Sequence, residues 1–288
     1  MFFILKRHGA LALAAALLLF LGGCGGDDPN GDSNGGTANE EASSDGRSPA
    51  KVIASAGSAT QQAGTARIRS EQVTSAQGQE LTTTLEGTAD LETGDSEAEL
   101  ELSLPGQGTQ SSQVITEGST AYIEAGAFPG ATTEAEWISI DFEVVSAQMG
   151  INLEAFRQNG AGELEYLSEV ADVEEMGTET VRGVGTTLYR FSTNLAALAE
   201  SGPEDLRSSY EQMMQITLSD EIPTQVWIDE DDLVRRIVTD LEIERQGQQI
   251  SQRSTIEYYE FGVEVDVQPP PEQDTVDITE FGGGGGTP

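Results

Sequence analysis

Cysteine and histidine, two residues often used for catalysis and metal binding, each occur once in the 288-residue chain, as Cys24 and His8. Cys24 follows Leu21, Gly22 and Gly23, and this run resembles a bacterial lipobox. At such a site the cysteine sulfur takes a diacylglycerol, and a signal peptidase then cuts before the cysteine. An unpaired cysteine in an exported protein needs an explanation. We therefore expect Cys24 to be the lipidated first residue of a mature chain anchored to the membrane, since buried acyl chains contribute about 0.8 kcal/mol per methylene.

Residues 1–23 have the three parts of a secretory signal. Lys6 and Arg7 precede an apolar core at residues 9–20, and small residues follow at the cut site. The core is shorter than the roughly 20 residues that span a bilayer. An uncleaved anchor helix and an ordinary secretory signal remain the alternatives. Cleavage removes His8, which excludes Ser-His-Asp, Cys-His and histidine–zinc chemistry from the mature chain. We expect no enzyme, no metal and no cofactor.

Three other motifs could carry chemistry, but each has a plainer interpretation. Residues 31–35 fit G-x-S-x-G, yet they lie in a stretch without core residues and lack a histidine partner. Residues 48–51 fit S-x-x-K, but Pro49 is expected to interrupt the helix that would bring Lys51 toward Ser48. The acidic run 229–232 lacks the spacing of an EF-hand loop and predicts a hairpin turn. Carboxylate pairs for glycoside hydrolysis stay open among 50 acidic residues, and no pair stands out.

The charge of the chain excludes one class of partner. Removal of Lys6 and Arg7 would leave 12 of the 14 basic residues against 50 acidic ones, a net charge of −38. Such a chain repels nucleic acid and anionic lipid headgroups. The lipid anchor rather than charge must then hold it at a membrane, and the acidity itself indicates solubility.

Composition divides the chain into four segments. Residues 1–23 are the predicted signal, and residues 24–49, without aromatic or large aliphatic side chains after Cys24, are a predicted disordered tether. Residues 50–275 have no Pro/Gly/Ser linker and are expected to form a single domain. Residues 276–288 end in a glycine-rich run and are a predicted disordered tail.

Within this domain, strands precede and follow a group of helices. Residues 97–104 alternate strictly, with Ala98, Leu100, Leu102 and Leu104 on one face. Apolar spacing predicts helices at 142–158 and 203–216, with a hairpin of strands 178–182 and 186–193 between them. Strands 222–229, 233–245 and 250–261 form a final meander.

This order predicts an α+β fold, in which one large curved antiparallel sheet carries helices on its concave face. Whether the space between them is a filled core or an open pocket stays undecided at this point. Plain core packing is the alternative interpretation of every residue that could line such a pocket. The candidate lining residues are Leu100, Leu102, Tyr122, Phe142, Met149, Leu153, Phe156, Tyr189, Tyr210, Met213 and Trp227.

Three stretches of the second half resemble the LppX/LprAFG lipoproteins of actinobacterial envelopes, within the LolA/LolB-like superfamily. They are the hairpin at 181–191, the Trp227-Ile228-Asp229 run followed by Arg235-Arg236, and the ending from Tyr259 through 269–271. The resemblance covers residues 50–275. It implies a half-barrel whose apolar cavity holds acylated lipids or glycolipids.

The sequence therefore favours a lipid-anchored protein on the extracytoplasmic face of the cell membrane that binds or shuttles a lipid or glycolipid. The alternative is an envelope sensor or interaction protein with the same fold, a protein partner and no ligand. A hydrolase is a weaker third hypothesis.

Overall fold

The computed structural model describes residues 47–104, 106, 108–127, 134–149, 172–201, 207–245 and 247–281. Twelve strands and five α-helices lie in these ranges. The strands are β1 Thr65–Ala76, β2 Gln79–Asp90, β3 Ser96–Leu104, β4 Gly108–Glu117, β5 Thr120–Glu124, β6 Trp137–Asp141, β7 Glu174–Val181, β8 Val184–Asn194, β9 Glu221–Asp229, β10 Val234–Arg245, β11 Gln248–Tyr259 and β12 Thr275–Asp277. The helices are α1 Pro49–Gln62, α2 Phe142–Met149, α3 Leu195–Ser201, α4 Arg207–Ile216 and α5 Ile278–Phe281. No helix in the described ranges is long and apolar enough to cross a membrane.

All twelve strands belong to one sheet, in the order β12-β6-β5-β4-β3-β2-β1-β11-β10-β9-β8-β7. Every neighbouring pair is antiparallel except β12 and β6, which are parallel. Strand β1 pairs with β11, so the first and last parts of the chain meet at the centre of the sheet. The predicted α+β fold built on one large antiparallel sheet is confirmed.

The helices pack on one face of this sheet, which we call the inner face. Residues paired across neighbouring strands point to the same side. In the register of the sheet, Ile68, Leu85, Leu100, Ile123 and Val226 all point to one side. This side packs against α1, α2 and the α3–α4 pair. The prediction of helices grouped on one face is therefore confirmed.

The sheet curls toward its inner face at Gly87 of β2. A Cβ atom added there would lie 2.5 Å from the Ala98 Cα and 2.6 Å from the Ala98 Cβ, and would overlap the Glu97 carbonyl oxygen. Cβ atoms of directly opposed residues are ordinarily about 4.5–5.5 Å apart. The inner sides of β2 and β3 thus converge, which makes the helix-bearing face concave at this pair.

Helix α1 was absent from the sequence predictions, and the expectation that Pro49 interrupts a helix is wrong. Pro49 occupies the first turn of α1, with Ser48 as the N-cap residue. The missing N–H of proline has no intrahelical partner at that position in any case. Val52, Ile53 and Ala56 are buried against the sheet. The Thr60 hydroxyl accepts a hydrogen bond from the Val234 N–H at 2.8 Å and so ties α1 to β10.

The predicted disordered tail begins too early at residue 276. Val276 lies in β12 and pairs with Ile138 of β6, while Ile278 is only 7% exposed and belongs to the same core cluster. The signal in this segment is short, since β12 has three residues and α5 has four. Residues 282–288 lie outside the described residues.

The strongest sequence patterns gave correct elements. The alternating stretch is β3, the hairpin is β7–β8, and the final meander is β9–β10–β11. The helix expected at 142–158 is described from Phe142 to Met149 as α2. The helix expected from 203 is described from Arg207 to Ile216 as α4.

Candidate functional site

The centre of the inner face is a half-buried apolar surface. It lies on β1, β11 and β10, where Ile68, Ile256 and Ile237 are each half-buried. Ile256 pairs directly with Ile237. Tyr258, two residues further along β11, pairs with Ile68. Further toward the end of β10, Leu241 and Ile243 are half-buried on the same face. These five apolar side chains near the middle of the sheet therefore retain part of their accessible surface, whereas Ala66 and Tyr258 on the same strands are buried.

On one flank of this central surface, strands β2 to β6 carry a fully packed cluster. Helix α2 contributes Phe142 and Val145 to it, and α5 contributes Ile278. The sheet contributes Leu85, Ala98, Leu100, Val114, Ala121, Ile123, Ile138 and Ile140. This flank is a core whose strand side chains are all nearly inaccessible.

From the opposite flank, α1 packs on β8, β9 and the start of β10, and its cluster reaches the central strands at Ala66 of β1 and Tyr258 of β11. Its buried residues contact Tyr189, Phe191, Val226 and Ile228. The partly buried side chains of Ile68, Ile237 and Ile256 border this cluster. Helix α1 is therefore one wall beside the central apolar surface.

A third cluster lies near the far end of β10. Leu195, Leu198 and Tyr210 of α3 and α4 are buried, with Met213, Met214 and the inner-face residue Ile222 packed against them. Just beyond, Ile216 is 51% exposed and Leu218 is 41% exposed. The end of α4 thus presents an accessible apolar rim beside the inner face.

A line of uncharged polar residues, which we call the polar row, crosses the inner face. Its members pair in sequence across five strands: Thr83, Gln72, Ser254, Thr239 and Thr224. Gln72, Thr83 and Thr224 are buried. Two residues along β1 from Gln72, the Ser70 hydroxyl is buried and has no hydrogen-bond partner in the described part of the chain.

Six of the predicted lining residues lie on the inner-face side of the sheet, in different clusters, and two lie on the other face. Leu100, Leu102 and Tyr189 lie on the inner face, and Phe142, Tyr210 and Met213 lie on helices packed over it. Tyr122 and Trp227 point to the other face of the sheet, because each precedes or follows a residue buried on the inner face, Ile123 and Val226. Including these two in one pocket lining with Tyr189 was wrong.

The remaining predicted site residues cannot be placed in the same way. Met149 is the last residue of α2. Leu153, Phe156 and the expected lipidation site Cys24 lie outside the described residues. Sequence reasoning missed Ser70 and Gln72, whose only signal was a polar residue at alternate positions of a weak strand.

Trp227 belongs instead to a network on the outer face. Its indole Nε1 donates to Glu179 at 2.8 Å, and the Arg236 guanidinium lies 5.3 Å from its ring centroid. Arg236 and Arg182 both donate to the Glu257 carboxylate. Burial raises the pKa of Glu257, but the hydrogen bonds from the two arginines outweigh it and the pKa is lowered.

The network continues to the centre of the sheet through Tyr259. The Arg182 guanidinium lies 3.8 Å from the Tyr259 ring centroid, and the Tyr259 hydroxyl donates to Glu86 at 2.8 Å. Burial raises the pKa of Tyr259, as does its bond to Glu86. The hydrogen bond from Tyr259, followed by the one from Arg69, lowers the pKa of Glu86. Direct pairing therefore favours the charged forms of Glu86 and Glu257 on the outer face.

The acidic run 229–232 is a structural hairpin turn, as predicted. The Asp229 carboxylate accepts the backbone N–H groups of Asp231 and Leu233 and pairs with Arg235. Asp232 binds Arg47 through both carboxylate oxygens, at 2.9 and 2.7 Å. No group of three or more potential ligand side chains that could hold a metal ion is present within the described ranges.

An open groove of about 500 Å³ lies on the outer face across β1 to β4. Its lining includes Arg67 and the carboxylates of Glu86, Glu97, Glu99 and Glu124. This groove is polar and lies on the side of the sheet away from the helices, so it is not the apolar pocket that the sequence suggested.

Fold and site together define an α+β protein with a concave face that is apolar at its centre. Its structure is similar to that of the Mycobacterium tuberculosis lipoprotein LppX, with a TM-score of 0.48 and 13% identity over 76% of this chain and 98% of that one. For LprF from Mycobacterium bovis the TM-score is 0.41, with 11% identity over 77% and 96% of the two chains. For a chain of the Pseudomonas aeruginosa MucA/MucB complex it is 0.32, with 13% identity over 79% and 60%.

One curated relative is an uncharacterised 31.2 kDa protein of Streptomyces griseus, from the rplA–rplJ intergenic region. It is 33% identical over 122 residues, which are 41% of this chain. The match spans only 38% of the length of that relative. No family model matches the chain.

Proposed function

We propose that this chain is a lipoprotein, anchored through Cys24, that binds a lipid or glycolipid between the inner face and the helices and carries it at the extracytoplasmic side of the membrane. The observation that carries the proposal is the half-buried apolar centre of the inner face. Ile68, Ile237 and Ile256 have no charged neighbour on that face in the register of the sheet. An accessible apolar surface enclosed by helices suits acyl chains, which need apolar contact and little else.

An ion pair holds the end of the predicted tether against the domain. Arg47, near the end of the predicted tether at 24–49, binds Asp232 at the β9–β10 turn. A tether from Cys24 to Arg47 would span roughly 26 Å root-mean-square, from about 5–6 Å times the square root of its length. The inner face would then stay within reach of the membrane from which a lipid is taken.

The binding test compares adjacent residues on opposite faces of β11. Ile256→Lys places a charge at the apolar centre, whereas Thr255→Lys places it on the outer face, where Thr255 pairs with Glu71. In the mature chain with Cys24→Ser, we expect Ile256→Lys to weaken binding of a fluorescent diacyl lipid at least tenfold. Thr255→Lys should stay within threefold of the parent. Equal effects of the two variants, or no binding by the parent, would refute the proposal.

A second candidate function is protein interaction, as in an envelope sensor. It is favoured by the exposed apolar side chains Ile216 and Leu218 at the end of α4, since exposed apolar patches mark docking sites. Chemical crosslinking in cells tests this alternative. A single stoichiometric protein partner that is lost in Ile216→Ser/Leu218→Ser, with lipid binding unchanged, would support it.

A further inference from the structure

The polar row crosses a surface on which most side chains are apolar. Along the strands, the row nearer the β9–β10 turn contains Tyr189, Val226, Ile237, Ile256, Ser70, Leu85 and Leu100 in register, and Ser70 is the polar member. The polar row lies two residues further along, or about 7 Å. Beyond it, Leu241 of β10 and Leu81 of β2 are again apolar. Polar groups therefore form a band across the inner face, which on the central strands β1 and β11 widens to include Ser70, Thr74 and Gln252.

This band has a cost that packing alone does not explain. Gln72 is 4% exposed and Ser70 is 1% exposed. The Ser70 hydroxyl has no partner among the described residues, and a buried polar group without a hydrogen bond is unfavourable. Apolar residues occupy the neighbouring positions of the same row, where Leu85 and Ile256 pair with Ser70.

The chemistry of the band defines what it can bind. Its members are hydroxyls and the carboxamides of Gln72 and Gln252, and none is charged. A hydroxyl and an amide N–H can each donate to a neutral carbonyl oxygen. A charged headgroup would find no counter-charge in the band. An ester or amide linkage, with acyl chains leaving it toward the apolar side chains of Ile237 and Ile256, matches the polarity of the band.

We propose that Ser70 and Gln72 bind the ester or amide carbonyl that joins an acyl chain to its lipid, with the chain lying over Ile256 and Ile237. This inference rests on the proposed lipid-binding function and adds the chemical class of the ligand. The linkage then sits in the middle of the inner face, and the headgroup points toward one end of the sheet. The site then distinguishes lipids by the linkage of the acyl chain and not by the charge of the headgroup.

The test compares two phosphatidylcholines with identical chains, one ester-linked and one ether-linked. Binding to the mature chain carrying Cys24→Ser is measured for each by native mass spectrometry and by displacement of a fluorescent lipid. The chain with an unchanged inner face is expected to bind the ester lipid about tenfold more tightly than the ether lipid. Ser70→Ala and Gln72→Leu should each reduce this preference to threefold or less while leaving the affinity for the ether lipid unchanged.

Thr116→Val provides the matched control. The Thr116 hydroxyl is also buried without a described partner, but it pairs with Ala121 at the packed flank, away from the polar row. This variant should keep the tenfold preference. Binding of both lipids with equal affinity overturns the inference and leaves the proposed function standing. If neither lipid binds, both the inference and the proposed function are overturned. If Gln72→Leu does not fold, Ser70→Ala, which removes one oxygen atom, decides the outcome.

Discussion

Replacing Gly87 by alanine should destabilise the sheet at the point where β2 and β3 approach most closely. The new Cβ would lie 2.5 Å from the Ala98 Cα and would overlap the Glu97 carbonyl oxygen. Both obstacles are backbone atoms, so no side-chain rotation relieves them and β2 must move away from β3 by about 1 Å. Overpacking of a filled interior costs about 1–3 kcal/mol. We expect the upper end of this range, about 3 kcal/mol, because eight consecutive residue pairs join these two strands.

The free energy of unfolding from urea titration measures this effect, and Gly185→Ala is the control. Gly185 lies in β8, and a Cβ there would meet no atom within 4 Å. Gly185→Ala should therefore be neutral or stabilise the chain by up to about 1 kcal/mol. A second change, Ala98→Gly, should not rescue Gly87→Ala, because it removes only the Cβ contact at 2.6 Å. A loss below about 1 kcal/mol, or full rescue by Ala98→Gly, would refute the assignment of the curl to this backbone contact.

Three other changes follow from contacts in the structure. Thr60→Val should cost about 1–3 kcal/mol, because it leaves the buried Val234 N–H without its acceptor; urea titration measures the loss, and Thr60→Ser should retain the bond. Glu257→Gln should destabilise the chain most at neutral pH. The pKa of Glu257 lies below its ordinary value of 4.5, so its contribution is present above pH 4.5 and disappears as the pH falls through the lowered pKa. A difference in unfolding free energy between the parent chain and Glu257→Gln that widens below pH 4 would contradict this sign. Cys24→Ser should abolish incorporation of labelled fatty acid and release the protein from membranes; continued labelling would exclude Cys24 as the anchor.

Local patterns predicted the strands well because each strand has one face against the helices. Strict alternation located β3, and hydrophobic runs separated by Gly or acidic turns located β7 to β11. In these segments the period of two arises from burial on a single face, and that signal is carried by the sequence itself. The resemblance also named LppX and LprF, and both are among the structures to which the chain is similar.

The register between paired strands could not be predicted from the sequence. Trp227 and Tyr189 are both large buried aromatics, and only the pairing of β8 with β9 places them on opposite faces. The irregular pairing between Val234 and Arg236 changes which residues of β10 point inward. Helix α1 was missed because Pro49 was expected to interrupt a helix, whereas it occupies the first turn of one.

Residues that carried the family resemblance mostly hold the sheet together. Arg182, Trp227, Arg236 and Tyr259 come from the three similar stretches and meet in the outer-face network around Glu257. Their shared role is to join β7 through β11 from the side opposite the helices. The polar row, in contrast, lies partly in the first half of the chain, which contributed no motif. Similarity in these stretches therefore reports the fold, and the ligand must be tested on the inner face.

Native mass spectrometry of the mature chain with Cys24→Ser, purified without detergent from the cells that make it, tests the central claim most directly. The account predicts a folded species carrying one lipid, whose mass is released on unfolding and whose extract contains an acyl ester or amide. The same preparation of Ile256→Lys should be empty, and that of Thr255→Lys should be loaded. A folded parent chain that is always free of lipid, and that takes up none from micromolar lipid, would contradict the account.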